Sequence, residues 1–116
     1  MDIVVTVPKG QWESWIAEGD LPSEPWSGTA YEFTTGGGVP SVWPGDRVYI
    51  VAHGRLRGYA PLARLRSYDG GRVGFIRQGG AVAVTIQQEV RGFRGWRYRW
   101  WDRADEKPFP DWREVN

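Results

Sequence analysis

Cysteine is absent from the 116-residue chain, and histidine and methionine occur only once each. Without cysteine the protein has no disulfide framework and no thiolate metal site. The single histidine, His53, has no second imidazole with which to share a metal ion, so the sequence does not support a zinc site. We therefore expect no metal and no other cofactor.

Long apolar runs are also missing from the sequence. No stretch approaches the roughly 18 residues that a membrane-spanning helix needs, and the first residues lack the pattern of a signal peptide. The formal net charge is only +1, and a value so close to zero indicates no partner by itself. On these absences we expect a soluble, cytoplasmic protein without a membrane partner.

The usual catalytic motifs are not found either. There is no GxSxG nucleophile motif, and the run Gly36–Gly38 is not followed by the GK[ST] of a phosphate-binding loop. His53 falls at the tip of a predicted hairpin, where an imidazole is normally solvated. The neighbouring acids Asp105 and Glu106 lie in a polar tail, and we interpret them as a solvated face. The residues therefore do not support enzymatic activity.

The chain is instead rich in tryptophan and arginine. It contains eight Trp, and 13 of its 15 basic residues are Arg. Residues 1–46 carry a net charge of −6, whereas residues 47–103 carry +9. Such a strong asymmetry indicates a surface for an acidic partner, and arginine suits planar or stacked contacts. Because a small barrel cannot easily bury eight indole rings, we expect some of them to line a pocket or groove.

The stretch Val42–Ser67 predicts the centre of the fold. Pro44-Gly45-Asp46 is typical of a turn, and the alternating residues after it predict a strand. His53-Gly54 then predicts a tight hairpin loop that leads into a long second strand. Pro61 cannot donate a ladder hydrogen bond, so this second strand is predicted to be an edge there, or to be bent or bulged.

The rest of the chain predicts further short strands and a helix. A helix is predicted from Pro8 to Gly19, and Phe109 and Trp112 are predicted to hold the tail against the body. The additional strands are predicted at residues 2–7, 29–35, 72–77, 81–86 and 90–101, with 72–77 and 81–86 as a candidate hairpin. Together these elements predict a single domain over residues 1–116. Its fold class is mostly β (α+β): a small β-barrel of six or seven strands with one or two short helices.

Two segments resemble a known family. The hairpin sequence Gly45–Val51, followed by His53-Gly54 and Gly58-Tyr59-Ala60, resembles that of the PUA-like superfamily, which includes the EVE, ASCH, YTH and SRA domains. The segment Trp26–Tyr31 is similar to the Trp-x-Gly segment of EVE-type members. The resemblance implies a PUA-like barrel that binds RNA or DNA, often with a modified or flipped base in an aromatic-lined pocket.

We therefore expect a monomeric nucleic-acid-binding module whose partner is RNA or DNA, and whose aromatic pocket holds a modified or flipped base. Trp26, Tyr31 and Trp43 are the predicted pocket wall, and Ser27 and the Gly28 backbone are its predicted polar groups. Phosphates are predicted to contact a basic face formed by Arg55, Arg57, Arg97 and Arg99.

Two other functions remain open at this point. The ASCH branch carries Lys and Glu near its first helix, and Lys9 and Glu13 occupy the corresponding helix here, which implies a hydrolase acting on RNA or on a modified nucleoside. Alternatively, the surplus tryptophans form an exposed hot spot, and the chain is a protein–protein interaction module.

Overall fold

The computed structural model describes residues 1–7, 31–77 and 82–109 of the chain. Strands account for 49% of these residues and 3₁₀ turns for 7%, which confirms the expectation of a mostly β fold. The helix predicted from Pro8 to Gly19 lies outside the described residues, as does Trp112.

The described residues form eight strands and two 3₁₀ turns. The strands are β1 (Ile3–Thr6), β2 (Tyr31–Thr35), β3 (Arg47–Ala52), β4 (Arg55–Ser67), β5 (Val73–Arg77), β6 (Val84–Thr85), β7 (Trp96–Tyr98) and β8 (Lys107–Pro108), and the turns are Asp69–Gly71 and Arg103–Asp105. Six strands form one sheet in the order β2-β5-β4-β3-β1-β7, which curls into a half-barrel. Strands β6 and β8 pair separately. Within the six-stranded sheet, β1 and β3 are parallel, and the other described pairs are antiparallel.

The central hairpin is confirmed. β3 and β4 are joined by His53 and Gly54, whose φ angles are 52° and 73°. Two central residues with positive φ are typical of the turn that matches the right-handed twist of two strands. Glycine adopts this conformation at little cost, whereas histidine is less often found there. The sequence His53-Gly54 therefore explains why the chain reverses direction between β3 and β4.

Pro61 marks the point at which β4 changes its neighbour. Residues up to Pro61 pair with β3, and residues from Leu62 onward pair with β5. The register shifts between Leu62 and Arg64. Because proline has no N–H to donate, it is tolerated where one ladder ends and the next begins. The irregularity predicted for this strand is thus confirmed.

The candidate hairpin between residues 72–77 and 81–86 is wrong. β5 lies between β2 and β4, so both of its edges are already occupied. The later segment pairs elsewhere: Val82 bridges to Tyr59, and β6 pairs with β8. Short spacing in the sequence suggested a hairpin, but the hydrogen-bonding edges of β5 are taken by strands that are more distant along the chain.

Both faces of the sheet are apolar. One face carries a cluster that includes Ile3, Val5, Val48, Ile50 and Phe75. The opposite face carries a second cluster made of Val4, Tyr49, Val51, Leu56, Ile86, Val90 and Trp101. Strands that are buried on both faces have nearly continuous apolar sequences, which explains the apolar run Ile3–Val5 of β1.

The C-terminal segment is held against the sheet, as predicted for Phe109. The Phe109 ring packs beside the first cluster, and its N–H donates to the Ala83 carbonyl at 3.1 Å. The Arg55 guanidinium lies 4.8 Å from the Phe109 ring centroid. These contacts hold Phe109 against β4 and against the segment that precedes β6.

Asp2 joins this segment to the start of β1. Its buried carboxylate accepts hydrogen bonds from the Arg47 N–H at 3.0 Å, Arg99 Nε at 3.1 Å and Arg103 Nη2 at 2.7 Å. Burial by itself would raise the pKa of Asp2, but these hydrogen bonds outweigh it and hold the pKa below its usual value. The ionised carboxylate therefore stabilises the fold.

Asp2→Asn is expected to lower the free energy of unfolding by about 1–2 kcal/mol at neutral pH, because the charge-assisted contacts to the two arginines are weakened. Since the folded-state pKa is depressed, the stabilisation is fully present above the unfolded-state pKa of about 3.9 and is lost as the pH falls through the lower folded-state value. Urea unfolding at neutral and acidic pH should show the gap between wild type and variant narrowing with acidity. Asp69→Asn, at an exposed carboxylate, is the control, and a pH-independent gap would contradict the prediction.

Candidate functional site

A groove of about 930 Å³ opens between strand β2 and residues 93–95, which precede β7. It lies at the gap between the two outer strands of the half-barrel, and a volume of this size is at the upper end of the range for ligand pockets. Its lining residues are Val5, Thr6, Glu32, Phe33, Thr34, Thr35, Gly36, Gly37, Arg72, Phe93, Arg94 and Gly95. The groove therefore combines an edge strand, two guanidinium groups, one carboxylate and a lining in which polar residues outnumber the apolar Val5, Phe33 and Phe93.

The run Gly36–Gly38 connects the two sides of the groove. The Gly38 N–H donates to the Gly71 carbonyl at 3.0 Å, and the Gly38 carbonyl accepts from Trp96 Nε1 at 2.9 Å. The φ angles of Gly37 and Gly38 are 107° and 78°, and only glycine adopts such values readily. A Cβ atom on Gly37 would lie 3.2 Å from Trp96 Nε1. The glycines thus allow the Trp96 ring to lie close against this backbone.

Two exposed arginines line the groove beside this glycine bridge, residues Gly36–Gly38. Arg72 follows Gly71, whose carbonyl accepts from the Gly38 N–H. Arg94 lies two residues before Trp96, whose Nε1 donates to the Gly38 carbonyl. Neither arginine has a described carboxylate within ion-pair distance, whereas Arg66 lies 3.7 Å from Glu32. Arg72 and Arg94 therefore form no ion pair within the described part of the chain, and the one carboxylate among the groove-lining residues, Glu32, is paired with Arg66.

An aromatic surface continues from the groove along the outside of β7. Phe93 lines the groove, and its N–H donates to Thr6 Oγ1 at 3.1 Å, which fixes its position. The Arg97 guanidinium lies 4.3 Å from the centroid of the Phe93 ring. Trp100 packs edge-on against Phe93, with 6.3 Å between ring centroids, and is 45% exposed. Rings and guanidinium groups therefore alternate on one continuous surface.

The aromatic pocket predicted from the sequence is only partly described. Trp26, Ser27 and Gly28 lie outside the described residues. Tyr31 starts β2, where its backbone pairs with Arg77, but its side chain is outside the description. Trp43 precedes β3, is 72% exposed and is not among the residues that line the groove. That pocket stays a prediction, as do the catalytic roles considered for Lys9 and Glu13, which also fall outside the described residues.

The four arginines of the predicted basic face occupy different environments. Arg97 is exposed and lies over Phe93, beside the groove. Arg55 is half-buried over Phe109. Arg57 is 1% exposed, its Nε donates to the Ala52 carbonyl at 3.0 Å, and burial lowers its pKa. Arg99 donates to the Asp2 carboxylate and to the Trp101 carbonyl. Of the four, Arg97 is the one that the structure places against a residue of the groove lining, Phe93.

Sequence reasoning did not select the residues that line the groove. Phe93 and Arg94 belong to the aromatic–arginine stretch 90–101, so their composition was a usable signal. Arg72 follows a turn, and nothing in its local pattern distinguishes it from the other exposed arginines. It becomes notable only because the fold places it beside Gly36–Gly38.

Residues 1–7, 31–77 and 82–109 contain no group of three or more His, Asp or Glu side chains placed to hold a metal ion. Across those same ranges, no helix has the length and apolar character needed to cross a membrane.

Comparisons of the chain with family models, with curated proteins and with solved structures found no match. The likeness to the PUA-like superfamily therefore stays a prediction.

Proposed function

We propose that this chain is a nucleic-acid-binding module and that the groove beside β2 holds a single strand of RNA or DNA. The observation that carries the proposal is the pair Arg72 and Arg94, which line a groove that also exposes the Phe93 ring. Guanidinium groups neutralise and hydrogen-bond phosphates, while aromatic rings stack on bases. Both kinds of contact are available within one groove.

The glycine bridge supports this assignment. Without side chains at Gly36–Gly38, a sugar–phosphate backbone can approach the protein main chain closely between Arg72 and Arg94. A Cβ atom added to Gly36 or to Gly38 would meet no other atom within 4 Å, so there is open space beside the bridge. Phosphate groups are expected to lie there, with the bases directed toward Phe93.

The resemblance to the PUA-like superfamily extends the proposal. In this extension the half-barrel belongs to a PUA-like barrel, the protein acts as a monomer in the cytoplasm, and the ligand carries a modified or flipped base. Trp26, Ser27, Gly28 and Tyr31 would then contribute to the pocket for that base. Trp43 would join them if the pocket reaches the turn before β3.

Salt-dependent binding tests the proposal. Fluorescence anisotropy with short labelled RNA and DNA strands should show affinity falling as salt rises, with a slope of log K against log salt of about −0.7 for each phosphate contact. Arg72→Ala and Arg94→Ala should each make the slope shallower by about 0.7. Arg64→Ala, at an exposed arginine of β4 that does not line the groove, should leave binding within about twofold, because one distant charge is largely screened.

Two results would contradict the proposal. One is the absence of binding by the wild-type protein to every strand tested at low salt. The other is an Arg72→Ala/Arg94→Ala double variant that binds as tightly as wild type with the same salt slope, since the groove would then make no phosphate contact.

A further inference from the structure

We infer that Trp100 is a second stacking platform outside the groove, so that the ligand is a strand of several consecutive nucleotides and not a single nucleotide. This inference rests on the proposed function, because it assigns the length and path of the strand that leaves the groove. In this arrangement one base contacts the Phe93 ring and the Arg97 guanidinium, and the next base along the strand stacks on the Trp100 ring.

The exposure of Trp100 differs sharply from that of its neighbour. Trp101 is 8% exposed and its Nε1 donates to Glu106 Oε2 at 2.9 Å, so it is an anchor of the second apolar cluster. Trp100 packs edge-on against Trp101, with ring centroids 5.0 Å apart, yet it remains 45% exposed. The anchored neighbour holds the backbone, and the Trp100 ring is thereby held at the surface with nearly half of its area exposed.

Trp100 is also continuous with the groove. It contacts Phe93, which lines the groove, and Phe93 in turn carries the Arg97 guanidinium at 4.3 Å. A strand whose phosphates lie between Arg72 and Arg94 therefore reaches Trp100 by passing over Phe93. Positive charge lies along this path, and a cation beside exposed rings is the combination that proteins use to bind single strands without strong sequence preference.

Trp43 provides a matched comparison on the same protein. It is even more exposed, at 72%, but it lies in the turn before β3, where its own N–H donates to Asp46 Oδ2 at 2.9 Å. It does not line the groove. Exposure of an indole ring is therefore shared by both residues, whereas contact with the groove lining distinguishes Trp100.

The experiment compares wild type, Trp100→Leu, Trp100→Phe, Trp43→Leu and Arg64→Ala with a nucleoside monophosphate and with single strands of increasing length. Loss of one stacking partner should weaken binding of the longer strands by about 5- to 100-fold in Trp100→Leu. Trp100→Phe should recover much of that loss, because phenylalanine keeps an aromatic face. Binding of the monophosphate should be unchanged in both Trp100 variants. Arg64→Ala, at an exposed arginine that does not line the groove, should bind every ligand within about twofold of wild type.

The possible outcomes separate the two proposals. If strands bind, and the Arg72 and Arg94 variants weaken them while Trp100→Leu does not, the groove is retained and the platform is refuted. If Trp43→Leu weakens binding and Trp100→Leu does not, the base lies at the sequence-predicted pocket and the platform is again refuted. If the wild-type protein binds no strand, both proposals fail together. Thermal unfolding of each variant establishes that the comparison is made on folded protein.

Discussion

Glu106→Ala is expected to lower the free energy of unfolding by about 3 kcal/mol, because three donors would lose a common buried acceptor. The Glu106 side chain is 6% exposed. It accepts from the Tyr49 hydroxyl at 2.6 Å, from Trp101 Nε1 at 2.9 Å and from Arg47 Nη1 at 3.2 Å. Truncation removes all three contacts and leaves a charged guanidinium without its partner. Denaturant unfolding followed by tryptophan fluorescence measures the loss.

Two further variants make this prediction specific. Asp105→Ala removes the exposed carboxylate next in sequence and should change stability by no more than about 0.5 kcal/mol. Glu106→Gln keeps the shape and one acceptor oxygen, so it should lose less than Glu106→Ala. Equal stability of Glu106→Ala and Asp105→Ala would show that the buried contacts contribute nothing measurable.

The Tyr49 hydroxyl donates a hydrogen bond to the Glu106 carboxylate in this network. Burial, followed by its hydrogen bond to Glu106, raises the pKa of Tyr49 well above the usual tyrosine value. The phenol is therefore protonated at neutral pH and donates to the Glu106 carboxylate. Because Tyr49 lies on β3 and Glu106 lies just before β8, this contact connects the central sheet to the C-terminal segment.

Gly58→Ala is expected to lower the free energy of unfolding by about 2–3 kcal/mol through overpacking. A Cβ atom at Gly58 would lie 2.5 Å from the Val82 carbonyl oxygen. That oxygen cannot move away freely, because it accepts from the Tyr59 N–H at 3.0 Å while the Val82 N–H donates back to the Tyr59 carbonyl at 2.8 Å. Thermal or denaturant unfolding of the variant measures the effect.

A control for this substitution is available in the same chain. Gly36 has open space around an added Cβ and no positive φ angle, so Gly36→Ala should be close to neutral for stability. If Gly58→Ala were as stable as Gly36→Ala, segment 82–84 would have to be able to move away from β4. The bridge between Tyr59 and Val82 would then not be a fixed part of the fold.

The wrong interpretation of Glu106 shows a limit of local sequence reasoning. Its neighbours Asp105 and Lys107 are charged and exposed, and a polar tail normally indicates a solvated face. Nothing nearby in the sequence indicates three donors, since Tyr49, Arg47 and Trp101 come together only when β3 is covered by residues 101–106. Burial of a charge depends on partners that are distant along the chain.

The arginines show the same limit. Composition indicated a basic surface, but composition cannot distinguish buried Arg57 from Arg99, which binds Asp2, or either of them from exposed Arg72. The sequence predicted that some indole rings line a pocket or groove. Two of the four described tryptophans, Trp43 and Trp100, are exposed, but none of the four lines the groove beside β2. Which exposed ring adjoins a groove is again decided by the fold.

The sequence by itself determined the elements whose causes are local. Alternation and β-branched residues specify the strands, His53-Gly54 specifies the reversal between β3 and β4, and Pro61 specifies the irregularity in β4. Only the tertiary structure decided which strand edges meet, which charges are buried and where the two outer strands leave a groove. The physical reason is that dihedral preferences and side-chain periodicity act over a few residues, whereas strand pairing and desolvation depend on groups that may be a hundred positions apart, as Asp2 and Arg103 are.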